Sequence, residues 1–115
     1  MDISTLKELI VEELSEKDIV QAECLIHTKR DANITDILTN IRAIPGVTIV
    51  SMLGSSKQVS LYKEISRIRI KFLPLTGSVK EYIIFLNKKV RTFPTVFSFK
   101  VLDYAKEDLI RKNNS

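Results

Sequence analysis

Apolar and polar residues alternate along four stretches of the chain, as β-strands require, and recur every three or four residues along three others, as amphipathic helices require. After a helix predicted at about 3–15, the order is strand, helix, strand, strand, helix, strand. The predicted strands cover 19–29, 47–53, about 59–73 and 96–102, and the two later helices lie between Asn33 and Pro45 and between Ser78 and Pro94.

The alternation assigns the strand residues to two faces. On the outward face of the first strand we expect Glu23, Leu25 and His27. Beside them, on the third strand, we expect a row of cations: Arg67, Arg69 and Lys71. The parity of the apolar residues changes near 64–66, which predicts a bulge or a break there. The residues expected to face the core are Val20, Ala22, Cys24, Ile26, Thr28, Ile68, Ile70, Phe72, Phe97, Phe99 and Val101.

Local signals mark the helix ends, and a repeat relates the two halves of the chain. Asn33 is suited to cap the second helix, and Ser78 with Glu81 forms a capping box at the third. Residues 41–53 align with residues 90–102, and both copies read apolar, Arg, small, apolar, Pro, small, Val, followed by a strand that ends in Leu. The chain therefore contains two strand–helix–strand halves, and the turn that leads from the helix into the next strand, which we call the exit, has a similar sequence in both.

The β-α-β-β-α-β order is that of the split-βαβ, or ferredoxin-like, arrangement. It predicts an α+β domain in which a four-stranded antiparallel sheet has its first and third strands in the centre and both helices on one face. We divide the chain into an N-terminal amphipathic helix (1–17), the ferredoxin-like domain (18–103) and a C-terminal tail (104–115) that forms a short helix at best.

Residues 19–102 resemble small regulatory domains of the ferredoxin-like kind, including the ACT family. The phrase Ile44-Pro45-Gly46-Val47 is similar to the turn that leads into the second strand of such domains. The resemblance implies a module that binds a small molecule. ACT domains bind an amino acid at a Gly-rich turn after the first strand, whereas residues 29–33 of this chain contain no glycine.

The predicted N-terminal helix resembles the leader helices of proteins from large contractile-tailed phages. Such leaders can direct a protein into the prohead and can be cut after a Leu/Ile-x-Glu triplet. Leu14-Ser15-Glu16 fits the triplet, and Lys17 stands where a small residue is usual. The resemblance implies a virion-associated protein. The residues expected to dock this helix on a surface are Ile3, Leu6, Ile10 and Leu14.

Charge is uneven along the chain. Residues 1–18 hold two basic and six acidic residues, whereas residues 19–115 hold 16 basic and 8 acidic ones. An acidic leader therefore precedes a basic body. The basic body attracts nucleic acid or an acidic protein surface, and the acidic leader is suited to docking on its own domain.

Groups that carry chemistry are few. Cys24 and His27 are the single cysteine and the single histidine, and because they fall on opposite faces of one strand they do not form a nucleophile pair. The glycines stand alone at predicted turns, so the sequence has no phosphate-binding loop. One Cys and one His leave no cysteine-rich or histidine-rich metal site. We therefore expect that the protein is not an enzyme and binds neither a cofactor nor a metal.

Three function hypotheses follow. The first is a non-enzymatic assembly or interaction protein, virion-associated in its most specific form, which forms a homo-oligomer or binds another structural protein. The second is an ACT-like small-molecule-binding regulatory module. The third is weak nucleic-acid binding through the basic sheet face, for which the outward parity offers no aromatic residue to stack on bases. No membrane span and no signal peptide are visible, so we expect a cytoplasmic or virion protein that is neither secreted nor bound to a membrane.

Overall fold

The computed structural model describes residues 18–58 and 63–106. The described residues form β1 (Val20–Lys29), α1 (Ile34–Arg42), β2 (Val47–Gln58), β3 (Lys63–Phe72), α2 (Val79–Arg91) and β4 (Val96–Lys106). The predicted β-α-β-β-α-β order is confirmed. The helix predicted at about 3–15 and residues 107–115 lie outside the described residues.

The four strands form one antiparallel sheet in the order β2-β3-β1-β4. The first and third strands are therefore central, as predicted, and the second and fourth strands form the edges. β1 and β3 pair without a break, from Val20 opposite Phe72 to Lys29 opposite Lys63. The α+β architecture with four antiparallel strands and two helices is confirmed, and it is compatible with a ferredoxin-like fold.

The core lies between the sheet and the two helices. The inward residues of β1, from Val20 to Thr28, are all buried, as the alternation predicts. Ile37 and Ile41 of α1 join one buried cluster with Tyr82, Leu86 and Val90 of α2 and with the inward residues of the strands. Because a single cluster contains residues of both helices and of one sheet face, both helices cover the same face of the sheet.

Both helices begin at the predicted caps. The backbone N–H of Asp36 donates to Oδ1 of Asn33 at 3.3 Å, and the backbone N–H of Glu81 donates to Oγ of Ser78 at 3.1 Å. Each cap satisfies one of the N–H groups that the first turn of a helix leaves without a partner.

The repeated exits adopt the same backbone turn. The N–H of Val47 donates to the carbonyl of Ile44, and the N–H of Val96 donates to the carbonyl of Phe93, both at 3.1 Å. These residues occupy equivalent positions in the two copies of the repeat, so the sequence repeat is also a structural one.

Each exit then contacts the first strand of the other half. The carbonyl of Gly46 accepts a hydrogen bond from the N–H of Leu73, after β3, at 2.8 Å. The carbonyl of Thr95 accepts one from the N–H of Lys29, at the end of β1, at 2.9 Å. The two halves therefore close against each other in the same way.

Two strands are longer than predicted. β2 continues through 54–58, beyond the predicted strand 47–53, because its pairing with β3 extends to Gln58 opposite Lys63. β4 continues to Lys106 opposite Val20, so residues 104–106 of the predicted tail are strand. In residues 54–58, pairing with the neighbouring strand outweighs low intrinsic strand propensity.

The bulge predicted near 64–66 is wrong. β3 pairs with β1 in unbroken register over its described length. The irregularity lies in β2 instead, between Met52 and Gly54, where Leu53 is an extra residue. Ile65 therefore lies on the same face as Arg67, away from the helices.

Phe97 does not face the core, contrary to the alternation. Its side chain is 56% exposed, whereas Phe99 is 1% exposed. The pairing of β4 with β1 shifts between His27 and Thr28, so Phe97 is an extra residue of β4 without a partner on β1. A bulge of this kind turns a side chain away from the face that strict alternation assigns to it.

Candidate functional site

The sheet face opposite the two helices is the candidate site, and we call it the open face. It consists of the outward residues of β1, from Gln21 to Lys29, and of the residues paired with them on the neighbouring strands. Both described helices pack on the other face. The residues that β1, β3 and β4 contribute to the open face include two acidic side chains, Glu23 and Asp103. They also include six basic ones: Lys29, Lys63, Arg67, Arg69, Lys71 and Lys100. The face is therefore strongly basic.

The predicted row of cations lies on this face. Arg67, Arg69 and Lys71 occupy alternate positions of β3, and each lies opposite an outward residue of β1. Alternate residues of a strand are about 7 Å apart, so the row places three cations at regular intervals along the centre of the sheet.

Arg67 is held by an ion pair with Glu23. Its Nη2 lies 2.7 Å from Oε2 of Glu23. The contact is diagonal, because the residue directly opposite Glu23 is Arg69. The side chains of Arg67 and Glu23 are 56% and 32% exposed, and a solvent-exposed pair of this kind stabilises a fold by about 1 kcal/mol or less. The pair orients the Arg67 guanidinium more than it stabilises the domain.

Apolar groups surround Arg67. A shallow depression of about 280 Å³ lies between β1, β3 and the bulged part of β2. The Leu53 side chain contributes to its lining, and 40% of that residue stays exposed. The depression combines a guanidinium with aliphatic side chains and hydroxyls. Its lining consists of Leu25, Leu53, Gly54, Ser55, Ser56, Ile65 and Arg67.

A second depression, of about 220 Å³, surrounds Arg69. Its lining is more polar than the lining around Arg67, and it includes Glu23, which lies opposite Arg69 on β1, and Asp103 and Tyr104 of β4 beyond it. Among the described residues, the guanidinium of Arg69 forms no ion pair. The open face thus has an apolar half around Arg67 and a polar half around Arg69.

The bulge in β4 adds an aromatic ring near the basic residues. Nζ of Lys63 lies 5.5 Å from the centroid of the Phe97 ring. The expectation that Phe97 faces the core is therefore wrong, because Phe97 is exposed, and the cation beside its ring is Lys63 rather than a member of the row of Arg67, Arg69 and Lys71. A cation and an exposed ring at this separation attract each other weakly, and both remain accessible to a ligand.

Cys24 lies inside the core. Burial, with a smaller contribution from the charge of Glu23, raises the pKa of its thiol from 9.0 to about 12. A thiol with this pKa is protonated at neutral pH and is a poor nucleophile. His27 lies on the open face, on the opposite side of β1. The prediction that these two residues do not form a nucleophile pair is consistent with this geometry.

Other predicted site residues lie outside the described part of the chain. Ile3, Leu6, Ile10 and Leu14 belong to residues 1–17, which the structure does not describe. Within residues 18–58 and 63–106, no group of three or more His, Cys, Asp or Glu side chains is arranged to bind a metal ion. Neither described helix has the length and apolar character needed to cross a membrane.

Two contributors to the open face were not predicted from the sequence: Ile65 and Phe97. The outward position of Leu53 follows from alternation, since Val50 of the same strand is buried and Leu53 stands three residues later. Ile65 lies on the open face because β3 runs without a bulge. For Phe97 the pattern contains no signal, since its alternation with Phe99 is regular.

Comparison of the chain with protein-family models, with curated proteins and with solved structures finds no significant match. The resemblances to ACT domains and to phage leader helices therefore stay predictions from the residues that carry them.

Proposed function

We propose that the protein is a non-enzymatic assembly protein with a ferredoxin-like domain, and that its copies associate through the open face of the sheet. The observation that supports this proposal is the composition of that face, where exposed apolar residues of the two edge strands, Leu53 and Phe97, accompany the cations of the central strand β3. The phage-like leader suggests the specific form, a virion-associated structural protein.

The charge of the open face limits how two copies can meet. Two such faces placed against each other would bring like charges together, which costs free energy. A second copy must therefore present a surface that is apolar and acidic. The chain carries one such segment in its sequence, residues 1–18, which hold six acidic residues and two basic ones.

The ion pair between Arg67 and Glu23 contributes little to folding, so the basic row can be altered without unfolding the domain. The test variant is Arg67→Glu with Arg69→Glu. The matched control is Lys80→Glu with Lys88→Glu, which changes the net charge by the same amount at two exposed positions of α2.

The experiment is size-exclusion chromatography with light scattering over a series of protein concentrations. We expect the wild type and the α2 control to form a defined oligomer as concentration rises, and the β3 variant to remain at the mass of one chain, 13.1 kDa. A mass of one chain for the wild type at every concentration contradicts self-association and leaves a different protein as the partner.

Phe97 beside Lys63 supports a second candidate, weak binding of single-stranded nucleic acid. Exposed rings stack on bases, and nearby cations contact phosphates. Fluorescence anisotropy with labelled oligonucleotides tests this candidate. We expect binding that weakens steeply with salt and that Phe97→Ser reduces, with Ile84→Ser, at an exposed apolar position of α2 on the helical side, as the control. Binding that is equal in all three proteins contradicts a role for the open face.

A further inference from the structure

We infer that, in a single copy of the protein, residues 1–17 of the same chain cover the open face. The inference rests on the proposed function, because it assumes that this face is an interaction surface. Beyond that function, the inference names the segment that binds the open face before copies associate. Assembly then requires that one copy releases its own segment.

Charge is the first argument. The net positive charge of the open face comes from β3, since the outward residues of β1 and β4 each include one acidic and one basic residue. Residues 1–17 contain five acidic residues against two basic ones. The alternative segment, residues 107–115, contains two acidic and two basic residues, so charge gives it no preference for the face.

Apolar matching is the second argument. Ile3, Leu6, Ile10 and Leu14 recur at helical spacing and would form one stripe. The depression around Arg67 has an aliphatic lining that suits such a stripe. The opposite sheet face cannot take it, because α1 and α2 already pack there in one buried cluster.

Reach is the third argument. The described chain begins at Asp18 and enters β1 at Val20, at one end of a central strand. A helix over 3–15 would be about 20 Å long, and a strand of ten residues is about 33 Å long. The few residues before Val20 would allow the segment to reverse direction and run along the open face. Because the helix would be shorter than the strand, it would fit within the length of the sheet. A short tether also gives the segment an effective concentration in the millimolar range.

Cysteine cross-linking in the full chain tests this inference, because the native Cys24 is buried and leaves introduced cysteines as the reactive pair. The test pair is Ser4→Cys with Ser98→Cys, where Ser98 lies opposite His27 on the open face. The control pair is Ser4→Cys with Asn40→Cys, at an exposed position of α1 on the helical side. A short bismaleimide is added at a concentration where light scattering shows a single chain.

We expect the Ser98 pair to cross-link within one chain at least tenfold faster than the Asn40 pair. We expect Arg67→Glu with Arg69→Glu to slow this reaction. Adding Glu12→Lys and Glu13→Lys to that variant should restore it, since the charges of segment and face are then exchanged. Restoration also shows that the first variant is folded.

Equal rates for the two pairs overturn the inference. A product that forms only between chains, identified by mixing isotope-labelled and unlabelled protein, overturns it as well. A fast intrachain reaction in a protein that never oligomerises supports the inference and contradicts self-assembly. An oligomer that depends on Arg67 and Arg69, without the intrachain product, supports assembly and overturns the inference.

Discussion

The hydroxyl of Tyr82 donates a 2.6 Å hydrogen bond to the carbonyl of Pro45. This contact joins α2, in the second half of the chain, to the turn that leaves α1 in the first half. The Tyr82 ring also stacks on Phe72, with ring centroids 4.5 Å apart. One side chain therefore holds a turn, a helix and a central strand together.

Tyr82→Phe removes the hydroxyl and keeps the ring. We expect the free energy of unfolding to fall by about 1 kcal/mol, since a typical hydrogen bond contributes that much and the Pro45 carbonyl loses its donor. Urea denaturation measures the change. Tyr104→Phe is the control, because Tyr104 is exposed and its hydroxyl donates no hydrogen bond among the described residues. If the free energy of unfolding falls equally in both variants, the hydrogen bond to Pro45 does not stabilise the domain.

The three glycines form a graded series. Gly46 has φ +97°, and an added Cβ would lie 2.7 Å from the carbonyl oxygen of Leu73 and 2.8 Å from the hydroxyl of Tyr82. Gly77 has φ +104° but has only Glu81 Oε2, at 3.8 Å, near that position. Gly54 has neither a positive φ nor any atom within 4 Å of an added Cβ.

Alanine at these positions should separate backbone strain from steric clash. We expect Gly54→Ala to be neutral or slightly stabilising, Gly77→Ala to cost about 1 kcal/mol from strain, and Gly46→Ala to cost about 3 kcal/mol because a clash adds to the strain. Thermal and urea unfolding of the three variants measure the order. If Gly46→Ala costs no more than Gly77→Ala, the turn relaxes and the close approach to Tyr82 is not a constraint.

High pH should destabilise the domain through Cys24. The pKa of its thiol is raised from 9.0 in the unfolded chain to about 12 in the folded state, mainly by burial and also by the charge of Glu23. The thiol contribution to stability is therefore fully present below pH 9 and is lost as the pH rises from 9 towards 12. The expected slope is about 1.4 kcal/mol per pH unit within this window.

Urea unfolding at several values between pH 8 and 11 checks this dependence. Cys24→Ala should have no such slope between pH 9 and 10. Above pH 10 it should still lose stability, because burial also raises the pKa of Tyr82 in the folded state. A slope that is the same in wild type and Cys24→Ala would assign the alkaline loss to other groups.

Phe97 and Phe99 should respond very differently to truncation. Phe99 is 1% exposed and belongs to the core cluster, so Phe99→Ala should cost about 3–5 kcal/mol. Phe97 is 56% exposed, so Phe97→Ala should cost less than about 1 kcal/mol. Comparable costs for the two variants would contradict the bulge in β4.

This pair of residues also shows where the sequence pattern stops being informative. Alternation correctly places Phe99 inward, because a strand in regular register has a period of two. It places Phe97 wrongly, because Phe97 is an unpaired residue of β4 at a bulge, where the period of two is interrupted. A bulge depends on the register between two strands far apart in the chain, and no local pattern contains that register.

The element order was predictable for a different reason. Asn33 and Ser78 cap their helices through contacts three residues away, and the turns after both helices repeat the same local phrase. Such signals are local and do not need the tertiary structure. The extension of β2 through Gly54 and Ser55 was not predictable, because β3 stabilises it across the sheet.

For the candidate site, the row of Arg67, Arg69 and Lys71 was predictable from parity. Its apolar surroundings were predictable only in part, since alternation places Leu25 and Leu53 outward, whereas the outward position of Ile65 depends on β3 running without a bulge. The same parity places Glu23 of β1 beside the cations of β3. That the partner is the diagonal Arg67 depends on side-chain reach rather than on register.

The sheet order also has a consequence for how the chain folds. β1 is central and pairs with both strands of the second half, so Val20, the first residue of the first strand, lies opposite Lys106, the last residue of the last. Neither half can pair its own two strands, because β1 and β2 are separated by β3. The sheet forms only when most of the chain has been synthesised, and this distant pairing makes folding slow and cooperative. A chain cut between the halves, at 59–62, would then regain its structure only as two fragments combined.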